Sequence, residues 1–250
     1  MRSGFEIGLT PREGIGDQMT TVMQILSPLD VLALAVLVAA WLGYEIFGER
    51  AAERGDNLSG LMQGWRGEWT AAAVHRDNRI IDIQILRSLA GNSAFLASTS
   101  IFVIGGLAAM IGGSEHAVAV LNGFDYLLET TRDRFGVMVG ALIVVFINAF
   151  FRLAWSLRLH NNAAVVLGSI PQPGASDDPA VAEERARVVA RIATLAARHY
   201  NGGMHAYYFG LAASAWFLHP IALIAASLWV VAILYRREFK SRAHKALGGK

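Results

Sequence analysis

Apolar residues are grouped along the chain in blocks long enough to cross a lipid bilayer, which takes about 20 helical residues. The first block covers about 28–47, the second 89–111 and the third 137–158, and a last block covers 206–235. Blocks of this length and polarity indicate lipid-facing helices rather than the buried helices of a water-soluble domain. The predicted fold is therefore all-α, a helical bundle in a membrane.

Composition agrees with this interpretation and excludes several classes of function. Charged residues make up 17% of the chain, whereas soluble domains contain about 25%. The net charge is only +2, so a nucleic-acid partner is not expected. The chain has no cysteine, which excludes disulfides, thiolate metal sites, iron–sulfur clusters and cysteine nucleophiles.

The last apolar block contains His219-Pro220 near its middle, so it is either one kinked helix or a hairpin of two helices. The positive-inside rule favours the hairpin. With the N-terminus outside, segments 48–88 and 152–205 and the tail after Tyr235 lie inside, with six Lys or Arg each. Five spans therefore place 18 of these residues inside and four outside. We predict a fourth span at 202–218 and a fifth at 220–236. The protein is expected in the cell membrane, with its N-terminus outside and its C-terminus in the cytoplasm.

These spans divide the chain into an N-terminal tail (1–27), a transmembrane domain (28–236) and a basic tail (237–250). Ser27-Pro28 is typical of a helix N-cap followed by the first helical residue. From Asn78 the apolar pattern continues into the second span, which predicts one long helix that projects beyond the bilayer. The pair Asp178-Pro179 predicts another helix start, and Gly202-Gly203 marks either a helix break or a close contact.

Segment 48–88 is basic and amphipathic. Its apolar residues recur at helical spacing: Leu58, Leu61, Met62, Trp65, Trp69 and Ala72. This pattern suits a helix in the headgroup layer. The alternative is a helix packed on the cytoplasmic side of its own protein.

The second span carries small and polar residues at intervals of seven, which is nearly two helical turns. Gly91, Ser98 and Gly105 form one column, and Asn92, Thr99 and Gly106 form a second column beside it. We call these six residues the small-residue stripe. Phe95, Leu96, Phe102 and Val103 are expected to lie away from it. Such a stripe indicates a helix-packing face; the alternative is the lining of a pore in an oligomer.

Other polar residues lie within or next to the spans. Asn148 and Arg152 are one turn apart in the third span; Arg152 either extends toward the headgroups or lines a wet cavity with Asn148. A charged cluster is predicted at the cytoplasmic side: Asp77, Arg79, Asp82, Gln84, Arg87 and Arg158. Arg79 and Asp82 are three apart, so we expect them to pair. The cluster is interpreted as a solvated helix end, with a vestibule or docking surface as the alternative.

Catalytic and cofactor signatures are absent from the sequence. It contains no Gly-x-Ser-x-Gly, no His-Glu-x-x-His, no phosphate loop and no dinucleotide fingerprint, so an enzyme is not expected. His160, His199 and His205 lie near the predicted cytoplasmic surface, where a pair could ligate a b-type haem. Histidines at membrane surfaces are more often without a ligand, so no cofactor and no metal are predicted.

Three motifs resemble a known family. They are Asp77-x4-Asp82-x-Gln84-x2-Arg87, Ala97-Ser98-Thr99-Ser100-Ile101 and Gly105-Gly106-Leu107-Ala108-Ala109. The likeness continues at Phe150-Phe151, Ser156, Arg158, Asn161, Trp216 and Pro220, and covers roughly 45–236. In these residues the chain resembles the multi-span membrane family known as domain of unknown function 599, found in bacteria and plants. Arg152 does not belong to the family pattern. The resemblance implies a membrane protein without an assigned activity.

The sequence is compatible with two functions. The first is a non-enzymatic accessory or self-associating subunit of a membrane assembly, with the lipid bilayer and other membrane subunits or copies of itself as partners. The second is an oligomeric ion channel or small-solute transporter whose path is lined by the small-residue stripe.

Overall fold

The computed structural model describes residues 25–123, 129–174 and 179–248. All regular secondary structure in these ranges is helical, which confirms the predicted all-α class. The helices are α1 (Pro28–Arg54), α2 (Leu58–Val74), α3 (Ile80–Gly112), α4 (Ser114–Asn122), α5 (Arg132–Gly168), α6 (Pro179–Ser214), α7 (Pro220–Phe239) and α8 (Arg242–Ala246). Most of the predicted N-terminal tail and Asp178 lie outside the described residues.

Four helical segments within the described ranges are long and apolar enough to cross a membrane: Pro28–Arg54, Ile80–Gly112, Arg132–Gly168 and Pro220–Ala246. They contain the predicted first, second, third and fifth spans. The predicted fourth span, 202–218, forms the C-terminal part of α6 and the following 3₁₀ turn, Ala215–Phe217. Although α6 has 36 residues, it is not among the helices that are apolar enough to cross a membrane, so this crossing stays a prediction.

The last apolar block is two helices, and the single kinked helix does not occur. α6 ends at Ser214, and α7 begins at Pro220 after an extended His219, whose ring caps the new helix by accepting a hydrogen bond from the Ile221 amide. The two helices run antiparallel, because Ser59 of α2 bonds both to Glu238 at the end of α7 and to Asn201, well before the end of α6. The Arg237 guanidinium of α7 also donates to the Tyr208 hydroxyl of α6 at 2.8 Å.

The helix α5 is the centre of the bundle, with α3 packed on one side and α6 on another. α6 continues unbroken through Gly202-Gly203, so this pair marks a close contact rather than a break. A side chain at Gly203 would place its Cβ 2.6 Å from Cγ of Leu153 in α5. Glycine is therefore required there for the two backbones to approach this closely.

A buried ion pair joins helix ends at one end of the bundle, which we call the first end. Ser27 caps α1 as predicted and forms a reciprocal capping box with Asp30. The fully buried Asp30 carboxylate accepts from the Arg134 guanidinium at 2.9 Å and from the Trp216 indole at 2.7 Å. This network holds α1, the start of α5 and the turn before α7 together.

The opposite end, which we call the basic end, contains α2, α8 and the C-terminal parts of α1 and α7. Here α2 packs against α6, so one side of the amphipathic segment contacts its own protein, whereas Trp65 and Ala72 are exposed. The long helix predicted from Asn78 is confirmed, because α3 runs without a break over 33 residues. That is about 50 Å at 1.5 Å per residue, well beyond a hydrocarbon core of about 30 Å.

Candidate functional site

A charge pair lies between helices at the basic end. The Arg152 guanidinium of α5 donates to the Glu45 carboxylate of α1 at 2.8 Å. Their side chains are only 31% and 12% exposed, respectively. The Trp41 indole also donates to Glu45, at 3.0 Å. The absence of a side chain at Gly202 leaves room for Arg152, whose guanidinium lies where a Cβ at this position would be.

A cavity of about 60 Å³ surrounds this pair. On its other side Ser59 of α2 joins two helices, because it donates through its hydroxyl to Glu238 at 3.1 Å and accepts from the Asn201 amide at 3.1 Å. A single water needs only about 10–15 Å³ of such space. The cavity can therefore hold several waters or a small polar solute among charged groups.

His205 lines the cavity, and His199 is close enough to feel the charges of two residues that line it. The ring of His205 packs edge-on against Tyr44, with centroids 5.2 Å apart. The ring of His199 packs against Trp155. Burial lowers the pKa of the His199 imidazole, the positive charge of Arg152 lowers it further, and Glu49 acts in the opposite direction. His199 is therefore neutral at pH 7, which suits a site whose positive charge comes from arginine.

The small-residue stripe of α3 faces away from the rest of the chain, except that Asn92 at its edge also lines a small cavity beside α2 and α6. Gly91, Asn92, Ser98, Gly105 and Gly106 are exposed, and Thr99 is partly exposed with its hydroxyl bonded to the Phe95 carbonyl. A Cβ added at any of the three glycines would meet nothing within 4 Å. The helix instead uses a separate set of small residues against α5 and α6: Ala90, Ser93, Ala97 and Ser100.

The expected separation of Phe95 and Phe102 from the stripe is wrong. Both rings lie on the same outward face and are 71% and 79% exposed. The reason is helical geometry: each phenylalanine follows a stripe residue by four positions, and residues four apart lie on the same face. The outward face therefore has a ridge of two aromatic rings between two columns of small residues.

Asn148 and Arg152 have different surroundings although they are one turn apart. Arg152 lines the cavity described above. Asn148 is partly buried, and its side-chain oxygen makes no hydrogen bond with any described residue. Arg152 thus points toward α1 and α6, and the pairing with Glu45 explains how an arginine is tolerated at this depth.

The family model described as "Protein of unknown function, DUF599" matches residues 32–243. The chain belongs to the DUF599 family. The comparison with curated proteins found no match, and the comparison with solved structures found none either. The family match covers both the cavity and the outward face of α3.

The charged cluster of this DUF599 protein is divided by the fold. Arg79 is buried and does not pair with Asp82, so that expectation is wrong. Its guanidinium instead donates to the carbonyl oxygens of Ala73, Ile170 and Pro171 at 2.9, 2.7 and 2.8 Å. The physical reason is that Arg79 precedes α3 and lies over the end of α2, where carbonyl groups lack helical partners.

Asp82 is also fully buried, and it accepts from the Trp69 indole at 2.7 Å and from the Arg76 guanidinium. The remaining members of the cluster, Asp77, Gln84, Arg87 and Arg158, are exposed. Arg158 lies over the Trp155 ring, 5.7 Å from its centroid. Two of the six residues therefore fix α2 to α3, and four remain at the surface of the basic end.

The third histidine considered for haem, His160, is buried next to Ser156. Its Nδ1 lies 3.0 Å from the Ser156 carbonyl oxygen. The three histidines of this DUF599 chain thus have separate neighbours: Ser156 for His160, Trp155 for His199 and Tyr44 for His205.

Sequence reasoning missed the Asp30–Arg134 and Glu45–Arg152 pairs. One signal for the first was present, because Ser27 and Asp30 have the spacing of a capping box. A second signal was the rarity of carboxylates within apolar spans, which usually marks a paired or functional group. Neither signal identifies the arginine that pairs with the carboxylate, since each arginine is more than 100 residues away from it in the chain.

Proposed function

We propose that this DUF599 protein is a non-enzymatic membrane protein that self-associates, or joins a larger membrane assembly, through the outward face of α3. The observation that carries this proposal is that the small-residue stripe is left open. The helix already packs on its own chain through a different face, where the Ser93 and Ser156 hydroxyls are 3.1 Å apart and those of Ser100 and Tyr207 are 2.9 Å apart.

The shape of the open face suits a second copy of the same chain. Phe95 and Phe102 form a ridge, and the glycine columns beside it leave grooves. Ridges that pack into grooves are the usual basis of helix–helix contacts, and small residues allow such helices to approach closely in lipid. A face that carries both features can pair with itself about a two-fold axis.

Gly105→Leu is expected to weaken self-association about tenfold, since carbon atoms added at a packed contact cost roughly 1–3 kcal/mol. The measurement is the concentration dependence of energy transfer between labelled copies in detergent. Ala225→Leu is the matched control, because it adds bulk to an exposed position on α7, and its dissociation constant should stay within twofold of the wild type. If Gly105→Leu associates as strongly as the wild type, α3 is not the contact between copies.

The alternative function is an oligomeric channel or small-solute transporter. It is supported by Asn92, whose side chain makes no hydrogen bond with the described residues although it belongs to an apolar helix. Reconstitution of the purified protein into liposomes decides between the two functions. If Asn92→Leu abolishes flux of ions or small solutes while association persists, the stripe lines a path; if wild-type liposomes pass none, the subunit role is favoured.

We also propose that the chain crosses the cell membrane five times with the basic end in the cytoplasm. The antiparallel α6–α7 hairpin and the accumulation of Lys and Arg at the basic end support this. Because the chain lacks cysteine, single-cysteine variants report orientation directly. An impermeant thiol reagent should label Glu115→Cys in intact cells but not Gln63→Cys or Lys245→Cys. If Lys245→Cys is labelled from outside, either the orientation is the reverse of the one proposed or the chain crosses the membrane one time fewer.

A further inference from the structure

A second cavity, of about 140 Å³, lies at the basic end where α2, α3, α5 and α6 meet. Its polar lining consists of Arg66, Asn92, His160, Tyr200 and Asn201. No carboxylate is among the residues that line it. The cavity is separate from the Glu45–Arg152 site, and the two have only Asn201 in common.

The decisive feature is Arg66, which is partly buried in α2 and makes no hydrogen bond or ion pair with the described part of the chain. Other arginines inside the protein are matched: Arg134 by Asp30, Arg152 by Glu45 and Arg79 by three carbonyl oxygens. Arginine does not lose its proton in proteins. A partly desolvated guanidinium without a counter-ion is unfavourable, so an anion bound in this cavity would be stabilised by Arg66.

The other polar groups supply further hydrogen bonds for an oxyanion. The Tyr200 hydroxyl and the Asn92 amide are donors that make no hydrogen bond within the described residues. The Nδ1 of His160 is directed to the Ser156 carbonyl at 3.0 Å, so neutral His160 has Nε2 left as an acceptor. An acceptor among donors suits the P–OH group of a free phosphate or phosphate monoester, or the alcohol hydroxyl beside the phosphodiester of a glycerol headgroup. A simple carboxylate at neutral pH has no such proton.

We propose that this cavity binds a phosphate group, with Arg66 as the main contact and Tyr200, Asn92 and His160 around it. Arginine presents a planar set of donors that matches phosphate oxygens in pairs. The phosphate belongs either to a soluble molecule or to a lipid headgroup, because the cavity lies at the basic end beside the amphipathic α2. The proposal does not depend on how the chain assembles.

The test uses the purified full chain in phosphate-free buffer. Inorganic phosphate is titrated by calorimetry, and in a parallel experiment the chain is placed in nanodiscs of phosphatidylcholine with or without phosphatidylglycerol. Arg66→Gln should weaken binding at least tenfold, since it removes a charge-assisted contact. Arg50→Gln, which makes the same change at an exposed position of α1, should stay within twofold of the wild type.

Each result has a defined meaning. Phosphate binding that depends on Arg66 identifies a soluble ligand, and Arg66-dependent retention of phosphatidylglycerol alone identifies a lipid. If neither probe binds, or if Arg66→Gln binds as the wild type does, the proposal is overturned. Should Arg66→Gln fail to fold, Tyr200→Phe decides in its place, because it removes one hydroxyl and should weaken binding about three- to tenfold.

Discussion

Asp30→Ala is expected to lower the free energy of unfolding by about 3–5 kcal/mol, because it leaves the buried Arg134 guanidinium without its counter-ion. The same change removes the acceptor of the Trp216 indole and one half of the α1 capping box. The measurement is reversible denaturant unfolding in mixed micelles, followed by tryptophan fluorescence. Trp216 itself should report the loss at the first end of the bundle.

The control for this prediction is Arg132→Ala, two residues away from Arg134 in α5. Arg132 also forms an ion pair, with Glu115 at 2.9 Å, but both side chains are mostly exposed. Exposed pairs contribute at most about 1 kcal/mol. If Asp30→Ala and Arg132→Ala had equally small effects, the Asp30–Arg134 pair would not fix the helix ends as described.

Gly203→Val is expected to destabilise the bundle by about 1–3 kcal/mol, because a buried, well-packed site does not accept added carbon atoms without displacement. The new Cβ would lie 2.6 Å from Leu153 Cγ, and Leu153 is fully buried. α6 and α5 must then separate, which also disturbs the neighbouring Gly202–Arg152 contact. The same micelle unfolding experiment measures this effect.

Gly140→Val is the matched control, since it makes the same change within α5. A Cβ at Gly140 would meet nothing within 4 Å, and valine is slightly better than glycine in a helix. This variant should therefore be neutral or slightly stabilising. Similar destabilisation of both variants would contradict the assignment of the effect to the close α5–α6 contact at Gly203.

Local chemistry determined much of the fold from the sequence. Ser27-Pro28 set the start of α1, Pro179 the start of α6, and Pro220 the break that makes the hairpin. The apolar run from Ile80 set the length of α3. These features follow from neighbouring residues, because caps, prolines and apolar periodicity act within a few positions in the chain.

The two interhelical charge pairs and the position of Arg79 were decided by tertiary structure. Arg79 had a suitable partner three residues away in Asp82, yet it lies over the end of α2 and against the loop after α5. A surface pair of this kind contributes only a few tenths of a kcal/mol, whereas unsatisfied buried carbonyls are costly. The need to satisfy these buried carbonyl groups has the larger effect, and it arises only when segments distant in the chain come together.

The sequence by itself determined that α3 has a face of small residues, but only the tertiary structure decided which face meets the protein. Two sets of small residues run along this helix: Gly91, Ser98 and Gly105 face outward, and Ala90, Ser93, Ala97 and Ser100 are buried. In water, polarity would distinguish an inner from an outer face. In lipid both surroundings are apolar, so the choice depends on how well each face fits its neighbouring helices.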